Sequence, residues 1–259
     1  MPLWAPFAVL FAVFVVVNIL GAAVIGVAKA SDPSIEVDNL PIGVMLPLLA
    51  LQSTAFLLAA WITVKLVFGP TAREHLGLRP VHGVKTAVVW AAGVYLGFWI
   101  VALALVAIFG SPSEQDLVDD LREVDSVVAL AAAGFFLCIL APVAEELFFR
   151  GFMLNVLLPR LGVAWASAIT GGVFAIGHAT GAPIQSVLAL GAFGVGLCLL
   201  YWRTQSIIPC MALHALNNSI TFGVVKDLDP ALFAGVVLLS VGAVVAGAAA
   251  LSARPTVAA

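Results

Sequence analysis

Two adjacent glutamates and an arginine stand inside an otherwise apolar stretch, APVAEELFFRGFMLNVLLPR, at residues 141–160. A carboxylate in hydrocarbon is costly unless it has a partner or a chemical task. Glu146 and Arg150 are four residues apart on one helix face, which is the spacing of an ion pair. Because successive helical residues point about 100° apart, Glu145 and Glu146 are not expected to face the same partner. We therefore predict a structural Glu146–Arg150 pair and a Glu145 without a partner on its own helix.

His178 is the predicted partner of Glu145. A turn near Leu161 and Gly162 would leave Glu145 16 residues before Leu161 and His178 17 residues after it. In an antiparallel helical hairpin with a rise of about 1.5 Å per residue, the two side chains then reach the same depth. Phe174, four residues before His178, shares its face and is expected to form a wall of the site.

A third polar group comes from HALNN, residues 214–218, where His214 and Asn218 lie one turn apart on one helix face. With Glu145 and His178 they make the parts of a hydrolase. Glu145 could take a proton from water, and the histidines could polarise that water or hold a metal such as zinc. Asn218 could donate to a developing oxyanion. His214 lies only eight residues after Ser206, near the start of its span. For Glu145 and His178 to reach the same depth as His214, we expect the hairpin of the fourth and fifth spans to extend below the membrane core.

The composition indicates the environment of these residues. Of the 259 residues, 63% are hydrophobic and 10% are charged, whereas soluble domains have roughly 45–50% apolar and about 25% charged residues. The chain is therefore predicted to be an all-α polytopic membrane protein whose partner is the lipid bilayer. A net charge of −3 without a basic run gives no indication of nucleic-acid binding. Cys138, Cys198 and Cys210 match no zinc signature and are expected to be buried apolar side chains.

About eight apolar runs are long enough to cross a bilayer as helices. The fourth run is too long for one straight crossing, and Pro142 suits the first turn of a new helix. We predict a span broken near Pro142, with residues 128–141 as a short or re-entrant lead-in and 142–159 as the main helix. The predicted spans are 4–28, 43–69, 85–109, 128–158, 163–180, 184–202, 206–224 and 231–252. Residues 113–125 are predicted to form a short interfacial helix.

The basic residues predict the orientation. With the N-terminus in the cytoplasm, seven lie inside and three outside, and Arg150 is set apart as intramembrane. This distribution follows the positive-inside rule. A richness in Ala, Val and Gly with few lysines suggests a bacterial plasma membrane. The inside set is Lys65, Arg73, Arg79, Lys85, Arg160, Arg203 and Arg254, and the outside set is Lys29, Arg122 and Lys226.

Three segments together resemble a known family. They are EELFFRG (145–151), FAIGH (174–178) and HALNN (214–218), and they match the patterns EExxxR, FxxxH and HxxxN in order. These are the motifs of the CPBP family, the CAAX-processing and bacteriocin-immunity-related intramembrane proteases, also called glutamate intramembrane proteases. The resemblance covers about residues 128–225.

The resemblance implies a membrane fold of about eight helices, a cavity open to the cytoplasm and hydrolysis of peptide bonds. It implies that Glu145 is the general base, that His178 helps to activate water, and that His214 and Asn218 form the oxyanion site. Glu146 and Arg150 would shape the site. The family is often described as metalloproteases, and zinc on Glu145, His178 and His214 stays open.

We accordingly divide the chain into a three-span N-terminal region (1–127), a CPBP-like catalytic core (128–225) and a last span with the C-terminal tail (226–259). The predicted function is an intramembrane endopeptidase acting on membrane-associated or lipidated proteins. Two alternatives remain. One is a proton-coupled transporter using the buried Glu and His groups, and the other is a catalytically silent scaffold or immunity protein.

The charge distribution generates a prediction about topology. Both termini should lie in the cytoplasm, because that orientation places seven of the ten non-site basic residues inside. The measurement is accessibility of a tag fused to each end in intact cells. A C-terminal tag that reacts from outside would contradict the orientation.

Overall fold

The computed structural model describes residues 1–37, 40–111, 121, 122, 124, 126–179 and 182–252, and all elements in this part of the chain are helical. The predicted interfacial helix at 113–125 lies almost wholly outside the described residues. The helices are α1 (Ala5–Ser31), α2 (Ile42–Phe68), α3 (Ala72–His75), α4 (Val84–Phe109), α5 (Val127–Phe135), α6 (Ala141–Glu146), α7 (Asn155–Gly177), α8 (Ile184–Thr204), α9 (Ile208–Val225) and α10 (Pro230–Ser252). Two π-helical segments, Phe136–Leu140 and Leu147–Leu154, connect α5 to α6 and α6 to α7.

The helix ends follow local rules. The Asp229 side chain accepts from the backbone N–H groups of Ala231 and Leu232 at 3.0 and 3.1 Å, and Pro230 begins α10. An aspartate cap followed by a first-turn proline is a strong helix start. Ser126 caps α5 by accepting from Ala129. Outside the 127–177 segment, the predicted spans agree with the observed helices to within three residues at each end.

Seven helical segments in the described chain are long and apolar enough to cross a membrane, which is one fewer than predicted. The difference lies in Val127–Gly177, a single segment of 51 residues that is helical except at Gly162, where φ is 70° and ψ is 171°. Glu145 and His178 are 33 residues apart, or about 50 Å in a straight helix. Their side chains nevertheless approach to 3.9 Å, so the chain reverses direction at Gly162. We call residues 127–161 the fourth span and 163–177 the fifth.

The predicted break near Pro142 is wrong, because the helix does not end there. Leu140 and Ala141 have helical dihedral angles, with φ/ψ of −72°/−44° and −61°/−50°. The helix continues through this region and widens into the π-helical segment Phe136–Leu140 immediately before Pro142. A π turn takes up an extra residue without ending the helix, which is why Pro142 can lie in the first turn of α6 inside a continuous span.

The core forms where α2, α7, α8 and α9 pack around α6 and its two π-helical segments. Helices α8 and α9 have the largest buried shares among the membrane-crossing candidates, whereas α4 is almost entirely exposed along its most apolar window. Glycines allow α7 and α8 to approach closely. A Cβ on Gly171 would lie 2.7 Å from the backbone nitrogen of Val195, and one on Gly194 would lie 3.1 Å from the Cα of Gly171.

This close approach predicts an asymmetry between neighbouring glycines. Gly171→Ala should lower the free energy of unfolding by about 1–3 kcal/mol, because the new methyl group overlaps backbone that cannot move aside. Gly172→Ala is the matched control, since a Cβ there has nothing within 4 Å. Thermal unfolding in detergent should show a loss of several degrees for Gly171→Ala only. Equal melting temperatures for the two variants would contradict the packing.

Candidate active site

The ion pair predicted from the spacing of Glu146 and Arg150 is present. Oε1 of Glu146 lies 2.7 Å from Nη1 of Arg150, and both side chains are fully buried. Nη2 of Arg150 donates to the carbonyl of Gly194 at 2.9 Å. The guanidinium also lies 4.9 Å from the centroid of the Phe174 ring, within the range of a cation–π interaction. Arg150 therefore connects the fourth span to α7 and α8.

His214 lies between the two glutamates, and the prediction that they would not share a partner is wrong. Nδ1 of His214 is 2.8 Å from Oε1 of Glu146, and Nε2 is 3.8 Å from Oε2 of Glu145. The glutamate side chains diverge as expected for successive helical residues. An imidazole ring inserted between them reaches both, because its nitrogens lie on different edges of the ring.

His178 closes the other side of the site. Its Nδ1 is 2.8 Å from the carbonyl of Phe174, and its Nε2 is 3.9 Å from Oε2 of Glu145. The Phe174 ring packs 4.6 Å from the His178 ring and 5.8 Å from the His214 ring, so it forms the wall that its position predicted. The His178 side chain is 33% exposed and that of Glu145 10%, so the edge of His178 is the most accessible part of the three groups.

The hydrogen bonds of the two rings determine where their protons lie. A backbone carbonyl can only accept, so Nδ1 of His178 carries a hydrogen. Glu146 already accepts from Arg150, and Nδ1 of His214 likewise donates to it. In a neutral ring each Nε2 is then an acceptor. Both Nε2 atoms face Oε2 of Glu145, which has no hydrogen-bond partner. The separations of 3.8 and 3.9 Å are too long for direct hydrogen bonds and suit one bridging water.

Asn218 occupies a different position from Glu145, His178 and His214. Its Nδ2 donates to the carbonyl of Leu137 at 2.9 Å, and its Oδ1 is 3.5 Å from Nδ2 of Asn217. These contacts place its amide beside the first π-helical segment. One hydrogen of Nδ2 is thus used by Leu137, and the second is available for another acceptor.

The depth of His214 follows from how the neighbouring turn is anchored. The backbone N–H of Ile207 donates to the carbonyl of Gly77, and the hydroxyl of Ser206 donates to the carbonyl of Arg79. His214 is six residues after Ile208, which is about 9 Å along the axis, and eleven residues before Val225, which is about 16 Å. The site is therefore nearer the end of α9 that adjoins Gly77 and Arg79, a stretch that we call the Arg79 loop. Asn155 of the fourth span donates to the carbonyl of His75 on the same side, and the extension of the hairpin below the membrane core stays a prediction.

Sequence reasoning missed two backbone groups of this site. The carbonyl of Gly194 binds Arg150, and the carbonyl of Leu137 binds Asn218. Nothing in the sequence distinguishes Gly194 from a glycine that serves only helix packing. A signal for Leu137 exists, because Pro142 is five residues later and provides no N–H to a π-helical bond.

Glu145, His178 and His214 are also the candidate ligands of a metal ion. No group of three His, Cys, Asp or Glu side chains within the described residues is placed to hold a metal ion. A tetrahedral zinc with bonds of 2.0–2.1 Å brings its ligand atoms to about 3.4 Å from one another, whereas Oε2 of Glu145 is 3.8 and 3.9 Å from the two histidine nitrogens. The three cysteines are buried and free. The donor types suit zinc and the spacing does not.

Two comparisons with known proteins agree with this site. Residues 127–220 match the family described as Rce1-like, type II CAAX prenyl endopeptidase. The chain is also 25% identical over 194 residues to "Putative membrane peptidase YdiL" of Bacillus subtilis (strain 168), an alignment that covers 72% of this chain and 75% of that protein. No solved structure matches at a significant level.

The matched region contains all three motifs, and the resemblance predicted from them is confirmed. Both comparisons support a membrane protease at the level of family. The apolar helices agree with an integral membrane protein.

The shared contacts of Glu146 generate a prediction about stability. Glu146→Gln should lower the melting temperature in detergent, because Arg150 and His214 both lose a charged partner at full burial. Removing one partner of a buried pair costs about 3–5 kcal/mol, and a glutamine that keeps the shape should fall near the lower end. Glu145→Gln is the control, since Oε2 of Glu145 makes no hydrogen bond. A larger loss for Glu145→Gln would reverse the assignment.

Proposed function

We propose that this chain is an intramembrane endopeptidase that hydrolyses peptide bonds of membrane-associated or lipidated proteins with a water activated by Glu145. The proposal depends on one observation. A carboxylate oxygen without a hydrogen-bond partner faces two histidine nitrogens at 3.8 and 3.9 Å. Oε2 of Glu145 and Nε2 of His178 can both accept, which favours a small donor between them, and water supplies two O–H bonds.

In the proposed reaction, the water donates one hydrogen bond to Oε2 of Glu145 and the other to Nε2 of His178. Its lone pairs are then free to attack the carbonyl carbon of the substrate. Glu145 takes the proton as the new C–O bond forms. When the C–N bond breaks, Glu145 returns that proton to the leaving nitrogen, so that the products are a carboxylic acid, which keeps the second hydrogen of the water, and an amine.

The charge on the carbonyl oxygen in the transition state needs donors that are already in place. We assign this role to His214 and to the second hydrogen of Nδ2 of Asn218. To donate from Nε2, the His214 ring must carry a proton on both nitrogens.

Glu146, Arg150 and Phe174 complete the site without entering the reaction. Glu146 orients His214 through Nδ1, and Arg150 balances the charge of Glu146. The backbone carbonyl of Phe174 orients His178. Fixing a ring through its far nitrogen determines which nitrogen is offered to the reaction.

The substrate class follows from location and from the family match. The site lies within the apolar segments, so a peptide that reaches it must be held at or in the bilayer. We propose that the site opens to the cytoplasmic side of a bacterial plasma membrane. The matched family is described as a CAAX prenyl endopeptidase, and we propose C-terminal peptides of lipidated proteins among the substrates to be tested.

The activity prediction concerns Glu145. Glu145→Gln should abolish cleavage of a peptide library by the purified protein in detergent or vesicles, with a loss of at least about a thousandfold, because the amide cannot accept the proton. The melting temperature should stay close to that of the unchanged protein. Cleavage by the Glu145→Gln variant at an unchanged rate would contradict the mechanism. Proton transport without cleavage would favour the transporter alternative.

The same assay tests the zinc alternative. Exhaustive chelation should leave cleavage unchanged, and elemental analysis should find less than one zinc per chain. A stoichiometric metal that is lost together with activity and restores it on re-addition would assign water activation to the metal instead.

A further inference from the structure

The first π-helical segment leaves one carbonyl without a backbone donor. In this segment the bonds join residues five apart, and the N–H of Ala141 donates to the carbonyl of Phe136. The next bond of the series would run from residue 142 to Leu137. Residue 142 is a proline and has no N–H. The local sequence therefore removes the donor that Leu137 would otherwise have.

Asn218 replaces that donor from another helix. Its Nδ2 donates to the carbonyl of Leu137 at 2.9 Å. In an apolar surrounding a backbone carbonyl must be satisfied by the protein itself. This hydrogen bond joins the fourth span to α9, the seventh span. It can form because Pro142 has no N–H to donate to the Leu137 carbonyl.

We propose that Pro142 and Asn218 form an interhelix clamp that sets the position of His214. His214 is four residues before Asn218 on the same helix face, so an anchor at Asn218 fixes both the depth and the rotation of the ring. The clamp and the Glu146 contact then hold α9 at two points one turn apart. Asn218 is in this respect a positioning residue, in addition to the oxyanion role proposed above. The effect on rate depends on the proposed function, whereas the effect on stability does not.

The clamp is tested by a double-substitution cycle of Pro142→Ala and Asn218→Ala. Asn218→Ala alone should lower the melting temperature in detergent by about 3–8 °C, because it leaves the Leu137 carbonyl without a partner. In the Pro142→Ala background the new N–H can satisfy Leu137, so the same change should cost less than half as much. An equal loss in both backgrounds would overturn the clamp.

Cleavage kinetics give a second measurement. Asn218→Ala should lower kcat by about tenfold or more with a smaller change in KM, because misplacing His214 affects the reacting geometry. Pro142→Ala alone should lower kcat by at least about threefold, because its new N–H can take the Leu137 carbonyl and release the Asn218 side chain that holds α9. An oxyanion role alone would leave the kcat of Pro142→Ala unchanged. If the chain cleaves no peptide at all, the proposed function fails, and the melting temperatures still decide the clamp.

Two matched controls separate the clamp from general effects. Asn217→Ala removes the neighbouring amide, whose Nδ2 lies 3.5 Å from Oδ1 of Asn218, a long hydrogen bond, and should cost much less stability. Pro159→Ala removes another proline of the same helical segment and should not change the cost of Asn218→Ala. If Asn218→Ala fails to accumulate in membranes, its accumulation in the Pro142→Ala background becomes the measurement, and failure in both backgrounds would count against the clamp.

Discussion

One carboxylate oxygen joins three spans of this protein. Oε1 of Glu146 accepts from Nη1 of Arg150 and from Nδ1 of His214, and Arg150 extends the connection to the carbonyl of Gly194. Lipid supplies no solvation for such charges, so they must be neutralised by protein groups. The fourth span, α8 and α9 are therefore held together by electrostatics at the point where their apolar faces alone would allow sliding.

The adjacent glutamates have opposite environments, and this contrast explains why both are present. Oε1 of Glu146 accepts from Arg150 and His214, although its Oε2 has no hydrogen-bond partner, whereas Oε2 of Glu145 has no partner and faces Nε2 of both histidines. A carboxylate that accepts from a guanidinium is held in place as a charged group, and one that lacks donors has a strong affinity for a proton-bearing molecule. Because Nη1 of Arg150 and Nδ1 of His214 both donate to Glu146, neither of these groups donates to Glu145. Glu146 thus stabilises the structure and Glu145 is available for chemistry, although the two are neighbours on one turn of helix.

Much of this arrangement could be predicted from the sequence, because lipid imposes simple constraints. Apolar runs of about 20 residues predict the spans, and equal distances from the turn at Gly162 placed Glu145 and His178 at one depth. The double contact of His214 could not be predicted, since helical angles describe one helix and the contact depends on where another helix inserts its ring. The π-helical segments were likewise missed. Hydrophobic patterning has no distinct signal for one extra residue within a continuous helix, and Pro142 suggested a break instead.

Two asparagines hold the site from opposite directions, and their positions show how local irregularity becomes tertiary structure. Towards the Arg79 loop, Nδ2 of Asn155 contacts the carbonyl of His75 at 2.8 Å and the hydroxyl of Tyr201 at 2.7 Å. On the other side, Asn218 binds the carbonyl of Leu137. Both contacts lie at or beside the ends of π-helical segments, where the regular bond pattern changes. Because lipid cannot satisfy a backbone group that is left free, the Leu137 carbonyl of the first π-helical segment requires a partner from another helix. The departure from regular helix beside the glutamates thereby ties the fourth span to α9.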